Sequence, residues 1–320
     1  MDDRLVTAFV VVVGVPATLV GYIFLVEAIL RAVPQRRVPR IRPFLWIAPA
    51  LAFLGVFLVY PTLDTVRRSF MDRFSESYVG LANYEYLLTN SDVRDAIINN
   101  LLWLVFLTFG AVSLGLLVAV LVDRVKYEAF AKAIIFLPMA ISFVAASVIW
   151  RFMYDFRPES GTLNAIAQAV GRDEPIGWLS ESPLNTFALI TVAVWMQVGF
   201  AMVILSAGLK AISNELVEAA RVDGANELQI FRKIIFPLLL PTIAVISTAV
   251  IIIALKAFDI VYVMTNGNFN TEVLANRMYK ELFNIGHFGQ ASAIAVVLFL
   301  AIVPVMIFNI RRFREQEAIR

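Results

Sequence analysis

The feature that most constrains this sequence is a series of long apolar runs separated by polar segments. Seven runs lie at roughly 6–30, 44–60, 98–122, 130–150, 184–209, 235–257 and 289–310. A helix crosses the hydrocarbon core of a bilayer with about 20 apolar residues, because all its backbone polar groups are satisfied within the segment. We therefore predict an all-α integral membrane protein with seven transmembrane helices.

The composition agrees with burial in lipid and excludes several kinds of site. Hydrophobic residues make up 60% of the 320 residues and charged residues only 16%, whereas a soluble domain carries about 25% charged residues. The net charge of +2 gives no reason to expect nucleic acid as a partner. The chain has no cysteine and a single histidine, which excludes disulfides and cysteine or poly-histidine metal sites.

Basic residues between the runs predict the orientation of the chain. The segment after the first run holds no acid and five arginines, which are Arg31, Arg36, Arg37, Arg40 and Arg42. Cytoplasmic loops carry an excess of Lys and Arg, so this segment, 123–132, 210–234 and the C-terminal tail are expected in the cytoplasm, and the N-terminus outside. We do not interpret the first run as a signal peptide, because positive charge precedes the apolar run of a signal peptide.

The cytoplasmic stretch 213–237 differs from the other loops. It has the pattern of a helix, a break and a second helix, with a polar cap at 213 or 214. Glu218, Ala219 and Ala220 give the first helix a small, smooth ridge, and Gly224 permits a turn that a Cβ would resist. Pro237 stands in the first turn of the next span. A loop of this shape is suited to fit a groove on another protein.

The spacing within this stretch resembles the EAA loop of ABC importer permeases. The pattern runs from Glu218-Ala219-Ala220 through Gly224 and Ile234 to Pro237, with Phe236 in the place of the family's leucine. From about residue 44 onward the chain is also similar to the six-span permeases of the carbohydrate-uptake group that includes the maltose system. This similarity is carried by 58–61 at the close of the second span, 136–138, 148–151, 257–259 and 261–263. The local sequence at 256–259 and 265–268 looks like that of α-glucoside permeases.

The resemblance implies a domain organisation and a division of labour. Residues 1–43 would be an extra N-terminal transmembrane helix with a basic cytoplasmic linker, and 44–320 the six-helix permease domain with its coupling loop at 210–237. No G-x-x-x-x-G-K-[ST] phosphate loop occurs in the sequence. The chain would therefore be a transport subunit and not an enzyme, with no cofactor of its own.

The partners are likewise expectations from the resemblance. Two ATP-binding cassette ATPase subunits would bind ATP and Mg²⁺, a second related permease would complete the pathway, and an extracytoplasmic solute-binding protein would deliver a sugar. The location would be a bacterial or archaeal cytoplasmic membrane. Contact with the ATPase would fall to six residues, which are Glu218, Ala219, Ala220, Gly224, Ile234 and Pro237.

Polar and aromatic side chains within the spans are candidates for the substrate pathway, because polar groups are costly at bilayer depth. Lys256 and Asp259 are three apart and are expected on one helical face, with Phe258 and Tyr262 at a spacing of four. This set offers hydrogen bonds for sugar hydroxyls and ring faces for apolar sugar surface. The alternative is that Lys256 and Asp259 only pair with each other.

The fifth run offers a second group of candidates. Gln197 and Trp195 lie midway along this span with Gly199. A glycine there gives a ligand room or lets helices pack closely, and the sequence leaves both open.

Two other classes of protein remain as alternatives. An ion-gradient-driven secondary transporter of a small polar solute would use Lys256 and Asp259 as a coupling pair, but it leaves the EAA pattern without a role. A membrane enzyme would need a nucleophile with a base or a metal cluster, and His287 alone supplies neither.

Overall fold

The structure is a computed structural model that describes residues 3–123 and 125–318, and α-helix dominates this part of the chain. The helices are α1 (Asp3–Ala32), α2 (Val38–Leu54), α3 (Tyr60–Arg68), α4 (Ala82–Thr89), α5 (Ser91–Leu102), α6 (Thr108–Val122), α7 (Glu128–Phe136), α8 (Phe143–Met153), α9 (Thr162–Ala169), α10 (Leu184–Lys210), α11 (Asn214–Val222), α12 (Glu227–Ile230), α13 (Phe236–Leu255), α14 (Asp259–Met264), α15 (Leu274–Tyr279) and α16 (Phe288–Ala318). Four π-helical segments occur at Gly55–Val59, Trp103–Leu107, Phe231–Ile235 and Lys280–Ile285, and a 3₁₀ turn at Leu137–Ala140.

The chain divides into two units, Met1–Asp64 and Thr65–Arg320. In the first unit, α1 and α2 are joined by polar contacts as well as by their apolar sides. The Tyr22 hydroxyl donates to the Leu45 carbonyl, and Arg42 Nη2 lies 2.9 Å from Glu27 Oε1. Apolar side chains such as Phe24 and Phe53 are largely exposed in this unit, as expected for surfaces that face lipid.

In the second unit, α10 forms the centre of the hydrophobic core. Leu189, Met202 and Leu205 on this helix are fully buried. Helix α6 packs closely on it, because Gly115 lets the two backbones approach: a Cβ there would lie 2.5 Å from Ala201 Cβ and 3.0 Å from Met202 N. Small residues at such crossings are typical of helix packing in membranes.

Within the described residues, six helical segments are long and apolar enough to cross a membrane, which confirms the all-α membrane fold. They are Val10–Ala32, Val38–Arg68, Ser91–Val122, Leu184–Lys210, Glu227–Leu255 and Phe288–Phe308. A bent pair, Glu128–Ala140 with Phe143–Met153, brings the number to seven if it counts as one span.

The bent pair corrects the prediction that 130–150 forms one continuous helix. Its two halves meet at 98°, because the chain leaves helical geometry at Ile141, whose ψ is 141°. Pro138 has no N–H for a continuing helix, and Ser142 caps the new one by accepting a hydrogen bond from Ala145 N at 3.1 Å. The prediction that this run is apolar enough to span a membrane is confirmed, whereas the prediction that it forms one continuous helix is wrong.

The second span is longer than the sequence predicted. The segment 58–61 does not close it, since the helix continues through a π-helical segment to Arg68. The π-helical segment, in which Tyr60 N bonds to the Gly55 carbonyl five residues back, directly precedes Pro61, which cannot donate a backbone hydrogen bond.

Candidate functional site

The predicted coupling segment has the expected helix, turn and second helix. Helix α11 begins after Ser213, whose hydroxyl accepts from Glu215 N at 3.2 Å. Gly224 follows with a φ of +82°, a left-handed conformation that favours glycine. A capping box then starts α12, with reciprocal 2.9 Å bonds between Asn226 and Gln229. The sequence contained this capping signal, although our prediction did not use it.

The outer face of this segment carries both acidic and apolar side chains. Glu218 and Ala219 are exposed, whereas Ala220 and Ile234 are half-buried. Val222 is 88% exposed and Leu228 is 65% exposed. Pro237 is also exposed at the start of α13. Exposed apolar residues beside a carboxylate suit a protein partner. The sequence prediction included neither Val222 nor Leu228 among the contact residues.

A network of charged side chains lies beneath the coupling segment. Glu128 accepts hydrogen bonds from Lys132 and Lys210, and Asp123 lies 3.6 Å and 3.7 Å from the same two ammonium groups. Ser206 accepts from Lys132 and donates to Asp123. The network joins the end of α6, the start of α7 and the end of α10. Its only local sequence signal is the Glu128–Lys132 spacing of four.

A cavity of about 240 Å³ lies where α13 gives way to α14. It is lined by Trp103, Phe143, Ala193, Ile252, Ile253, Lys256, Ala257, Phe258, Asp259 and Ile260. Three of the predicted pathway residues therefore face one space, together with two aromatic residues that the sequence analysis did not select for the pathway.

The break between these helices corrects the expectation that Lys256 and Asp259 share one helical face. Helix α13 ends at Leu255, Phe258 has φ −144° and ψ −63°, and the helix resumes at Asp259. Lys256 and Asp259 are both exposed, and these two described residues form no ion pair with each other. The Leu255 carbonyl accepts from Asn100 Nδ2 at 3.4 Å, so a distant side chain supports the broken helix end.

An aromatic stack stands beside this cavity. The rings of Phe258 and Tyr262 are stacked with centroids 5.2 Å apart, and Tyr279 lies 5.5 Å and 5.2 Å from them. Phe283 extends the stack at 4.8 Å from Tyr279. Tyr262 is 40% exposed and Phe283 67% exposed. Tyr279 and Phe283 were missed, because they are far in sequence from Phe258 and Tyr262 and only the fold brings the four rings together.

The candidates on α10 have separate environments. Gln197 is buried, and its Oε1 has no hydrogen-bond partner among the residues that the structure describes. Trp195 is half-buried and packs edge-on against Trp150, with centroids 5.6 Å apart. Neither lines the 240 Å³ cavity, to which α10 contributes Ala193.

Gly199 marks the closest approach of α10 to the bent span. A Cβ at this position would lie 2.5 Å from the Ile135 carbonyl oxygen and 2.8 Å from Phe136 Cα. Of the two readings that the sequence left open, the geometry favours close helix packing.

Comparison with known proteins identifies the family. The family model described as the inner membrane component of binding-protein-dependent transport systems matches residues 111–313. The chain belongs to this family. It is the permease subunit of an ABC importer and a multi-pass inner membrane protein, and it is not the ATPase. Membership leaves the gradient-driven transporter and the membrane enzyme without support.

Two relatives indicate the kind of permease within this family to which the chain is similar. It is 55% identical over 280 residues to the osmoprotective compounds uptake permease protein GgtC of Synechocystis sp., covering 86% of this chain and 100% of the relative. It is 47% identical over 282 residues to the α-glucoside transport system permease protein AglF of Rhizobium meliloti, covering 87% and 84%. The resemblance to carbohydrate-uptake permeases is thereby confirmed.

Solved structures agree on the fold. A bacterial ABC transporter that imports the acidic polysaccharide alginate has a chain that matches with a TM-score of 0.74 and 21% identity, covering 88% of the permease and 99% of that chain. A second structure of a bacterial alginate ABC transporter, in complex with a pentasaccharide-bound periplasmic protein, matches with a TM-score of 0.73.

Proposed function

We propose that this permease forms half of the translocation pathway for a sugar, such as an α-glucoside of two or more rings. The observation that carries the proposal is the cavity at the α13–α14 break, where exposed Lys256 and Asp259 stand beside the stack of Phe258 and Tyr262. Charged groups hydrogen-bond to hydroxyls, and ring faces cover the apolar faces of a sugar.

The relatives support this assignment and also supply a second candidate. AglF is named for α-glucosides, which favours a glycoside. GgtC is named for osmoprotective compounds, which favours a small compatible solute. Aromatic faces also bind quaternary ammonium groups, so the lining alone does not separate the two candidates; the similarity to AglF makes the sugar the first candidate.

The machinery around the chain is part of the same proposal. Of the two ATPase subunits, which would bind ATP and Mg²⁺, one docks on the exposed surface of Glu218, Ala219, Val222 and Leu228. A second related permease and an extracytoplasmic solute-binding protein complete the importer. Residues 1–43 act as an added span and linker, with the N-terminus outside and the C-terminus in the cytoplasm.

Affinity purification of tagged permease from its native membrane tests the docking surface. We expect an ATPase to co-purify with the wild-type chain and to be lost with Glu218→Lys. Asp223→Lys is the matched control, because Asp223 is an exposed carboxylate at the end of the same helix, at a spacing that places it on a different face from Glu218. Equal recovery of the ATPase with both variants would contradict docking at Glu218.

ATP-dependent uptake into vesicles tests the cargo. The vesicles receive the solute-binding protein of the same importer with labelled sucrose, trehalose or glycine betaine, each alone. Uptake of the two glycosides supports the first candidate, whereas uptake of glycine betaine alone moves the permease to non-sugar osmoprotectants.

A further inference from the structure

A larger cavity lies outside the proposed pathway, beyond the C-terminal end of α8. Its volume is about 510 Å³, within the range of about 300–1,000 Å³ that is typical of small-molecule sites. Three segments distant in sequence build its walls: the end of α8 with the residues that follow, the loop 177–180, and Phe269. Because three separate segments line it, the cavity forms only when these parts of the chain are folded together.

The lining has the chemistry of a carbohydrate site. Five aromatic residues face the cavity, which are Phe152, Tyr154, Phe156, Trp178 and Phe269. Arg151, Asp155 and Ser180 add polar groups. Hydrogen bonds from Arg157 N and Ser160 lower the pKa of the Asp155 carboxyl, so it is an ionised acceptor at neutral pH. Ring faces with a few polar groups are what a sugar ring requires.

Phe269 is held in an unfavourable backbone conformation. Its φ is +57°, which is rare for a bulky residue and costs free energy. Hydrogen bonds from distant helices hold this stretch in place, since Asn185 Nδ2 donates to the Phe269 carbonyl at 2.7 Å and Asn99 Nδ2 to the Asn270 carbonyl at 2.7 Å. The Phe269 ring remains 58% exposed. These hydrogen bonds hold the backbone of Phe269 in its strained conformation, in which the ring lines the cavity.

A row of aromatic rings connects the cavity to the fifth span. The distances between ring centroids are 5.8 Å from Trp178 to Tyr154, 5.3 Å from Tyr154 to Trp150, and 5.6 Å from Trp150 to Trp195. The indole N–H groups of Trp150 and Trp178 have no acceptor within the described part of the chain. Trp195 was predicted as a pathway residue, and this row joins it to the cavity.

We propose that this cavity is an outer sugar-binding subsite, in which Trp178 and Phe269 hold one ring of the cargo before it enters the membrane. The inference rests on the proposed function and on the outward placement of 151–183. It adds a site to that function, because the pathway cavity at Lys256 and Asp259 shares no lining residue with it.

Site-directed thiol labelling tests the subsite directly, because the chain has no cysteine of its own. Ser180→Cys places a thiol in the lining, and Ala169→Cys places a control thiol at an exposed position of α9, on the same external segment but outside the lining. The assembled importer in liposomes is treated with a small charged methanethiosulfonate, without binding protein, in the presence of sucrose, trehalose or acyclic mannitol.

We expect sucrose or trehalose to slow modification of Ser180→Cys about threefold, the effect of one ring-face contact, and to leave modification of Ala169→Cys unchanged. Adding Trp178→Ala should abolish this protection, because the sugar loses the ring face that it stacks on. Trp178→Phe should keep the protection, since one stacked ring changes a binding constant by about threefold. Mannitol should protect neither thiol, because it has no ring to stack.

Several results would overturn the subsite. They are protection that survives Trp178→Ala, equal protection by mannitol, or a Ser180→Cys thiol that is unreactive in the assembled importer, which would mean that lipid or another subunit fills the cavity. ATP-dependent uptake by the wild-type importer is measured in the same liposomes. Uptake of a glycoside without sugar protection rejects only the subsite, whereas absence of glycoside uptake rejects the proposed function.

Discussion

Lys210, in the last turn of α10, lies 2.5 Å from the carboxylate of Glu128 in the first turn of α7. The contact joins the span that enters the coupling segment to the first half of the bent span. Gly199 brings the same two helices together further along α10. If the coupling segment moves, we expect these two contacts on α10 to carry the displacement to α7.

The first prediction concerns this ion pair. Because Lys210 and Glu128 are both partly exposed, Glu128→Gln should change the free energy of unfolding by less than about 1 kcal/mol. We expect it to raise the number of ATP molecules hydrolysed per sugar transported. A double-mutant cycle with Lys210→Gln measures the coupling. Lys126→Gln, an exposed lysine in the same loop, is the control, and strictly additive effects would argue against a transmitting contact.

The second prediction concerns Gly199. A Cβ there meets backbone atoms of Ile135 and Phe136, which cannot move aside as a flexible side chain can. Gly199→Ala should therefore destabilise the protein by about 1–3 kcal/mol. Gly55→Ala is the matched control, since a Cβ at this helical glycine meets no atom within 4 Å. Thermal unfolding in detergent compares the two variants, and equal melting temperatures would show that the helices are not in close contact at Gly199.

The third prediction concerns the turn of the coupling segment. Gly224 has a positive φ but open space around its Cβ position, so strain and not a clash opposes substitution. Gly224→Ala should reduce ATPase co-purification and uptake, whereas Gly224→Asn should retain most of both, because Asn adopts the left-handed conformation more readily. An alanine variant as active as the asparagine variant would mean that the turn is not needed in this form.

The fourth prediction concerns a buried ion pair. Glu281 is 1% exposed, and its Oε1 lies 2.8 Å from Arg277 Nη2 and accepts from the Tyr86 hydroxyl at 3.0 Å. Arg277→Met leaves this carboxylate without its cation and should cost about 3–5 kcal/mol. The double variant with Glu281→Met should recover most of that loss. Arg157→Met, which removes the exposed partner of Asp155, should cost less than about 1 kcal/mol.

The fifth prediction concerns pH. Burial lowers the pKa of His287 below its ordinary 6.5, and its Nδ1 accepts a hydrogen bond from Gln290 N at 3.1 Å, which requires the unprotonated ring. The unfolded chain therefore binds a proton first as the pH falls, so stability should decrease from about pH 6.5 down to the lower folded pKa. His287→Asn keeps a capping oxygen and does not titrate in this range.

The melting temperature of the wild type and of His287→Asn, measured from pH 7.5 to pH 5, checks this expectation. The wild type should lose more stability on acidification than the variant does. Parallel curves for the two proteins would assign the pH dependence to other groups.

Most of the coupling segment was predictable because its signals are local. Ser213 as a cap, the small ridge of Ala219 and Ala220, and the left-handed Gly224 each follow from a few neighbouring residues. The aromatic stack was only half predictable, because Phe258 and Tyr262 are close in sequence whereas Tyr279 reaches them through the fold. The charged network beneath α11 was missed for the same reason.

The sequence by itself determined the class of the protein, the number of apolar runs and the shape of the coupling segment. Hydropathy, the charge between spans and helix capping each depend on residues that are close together in sequence. Only the tertiary structure decided where helices break, at 141 in the bent span and at 256–258 after α13. At the second break a side chain from a distant helix, Asn100, replaces the lost backbone hydrogen bond. That exchange depends on which helices are neighbours in the folded protein, which no local pattern in the sequence records.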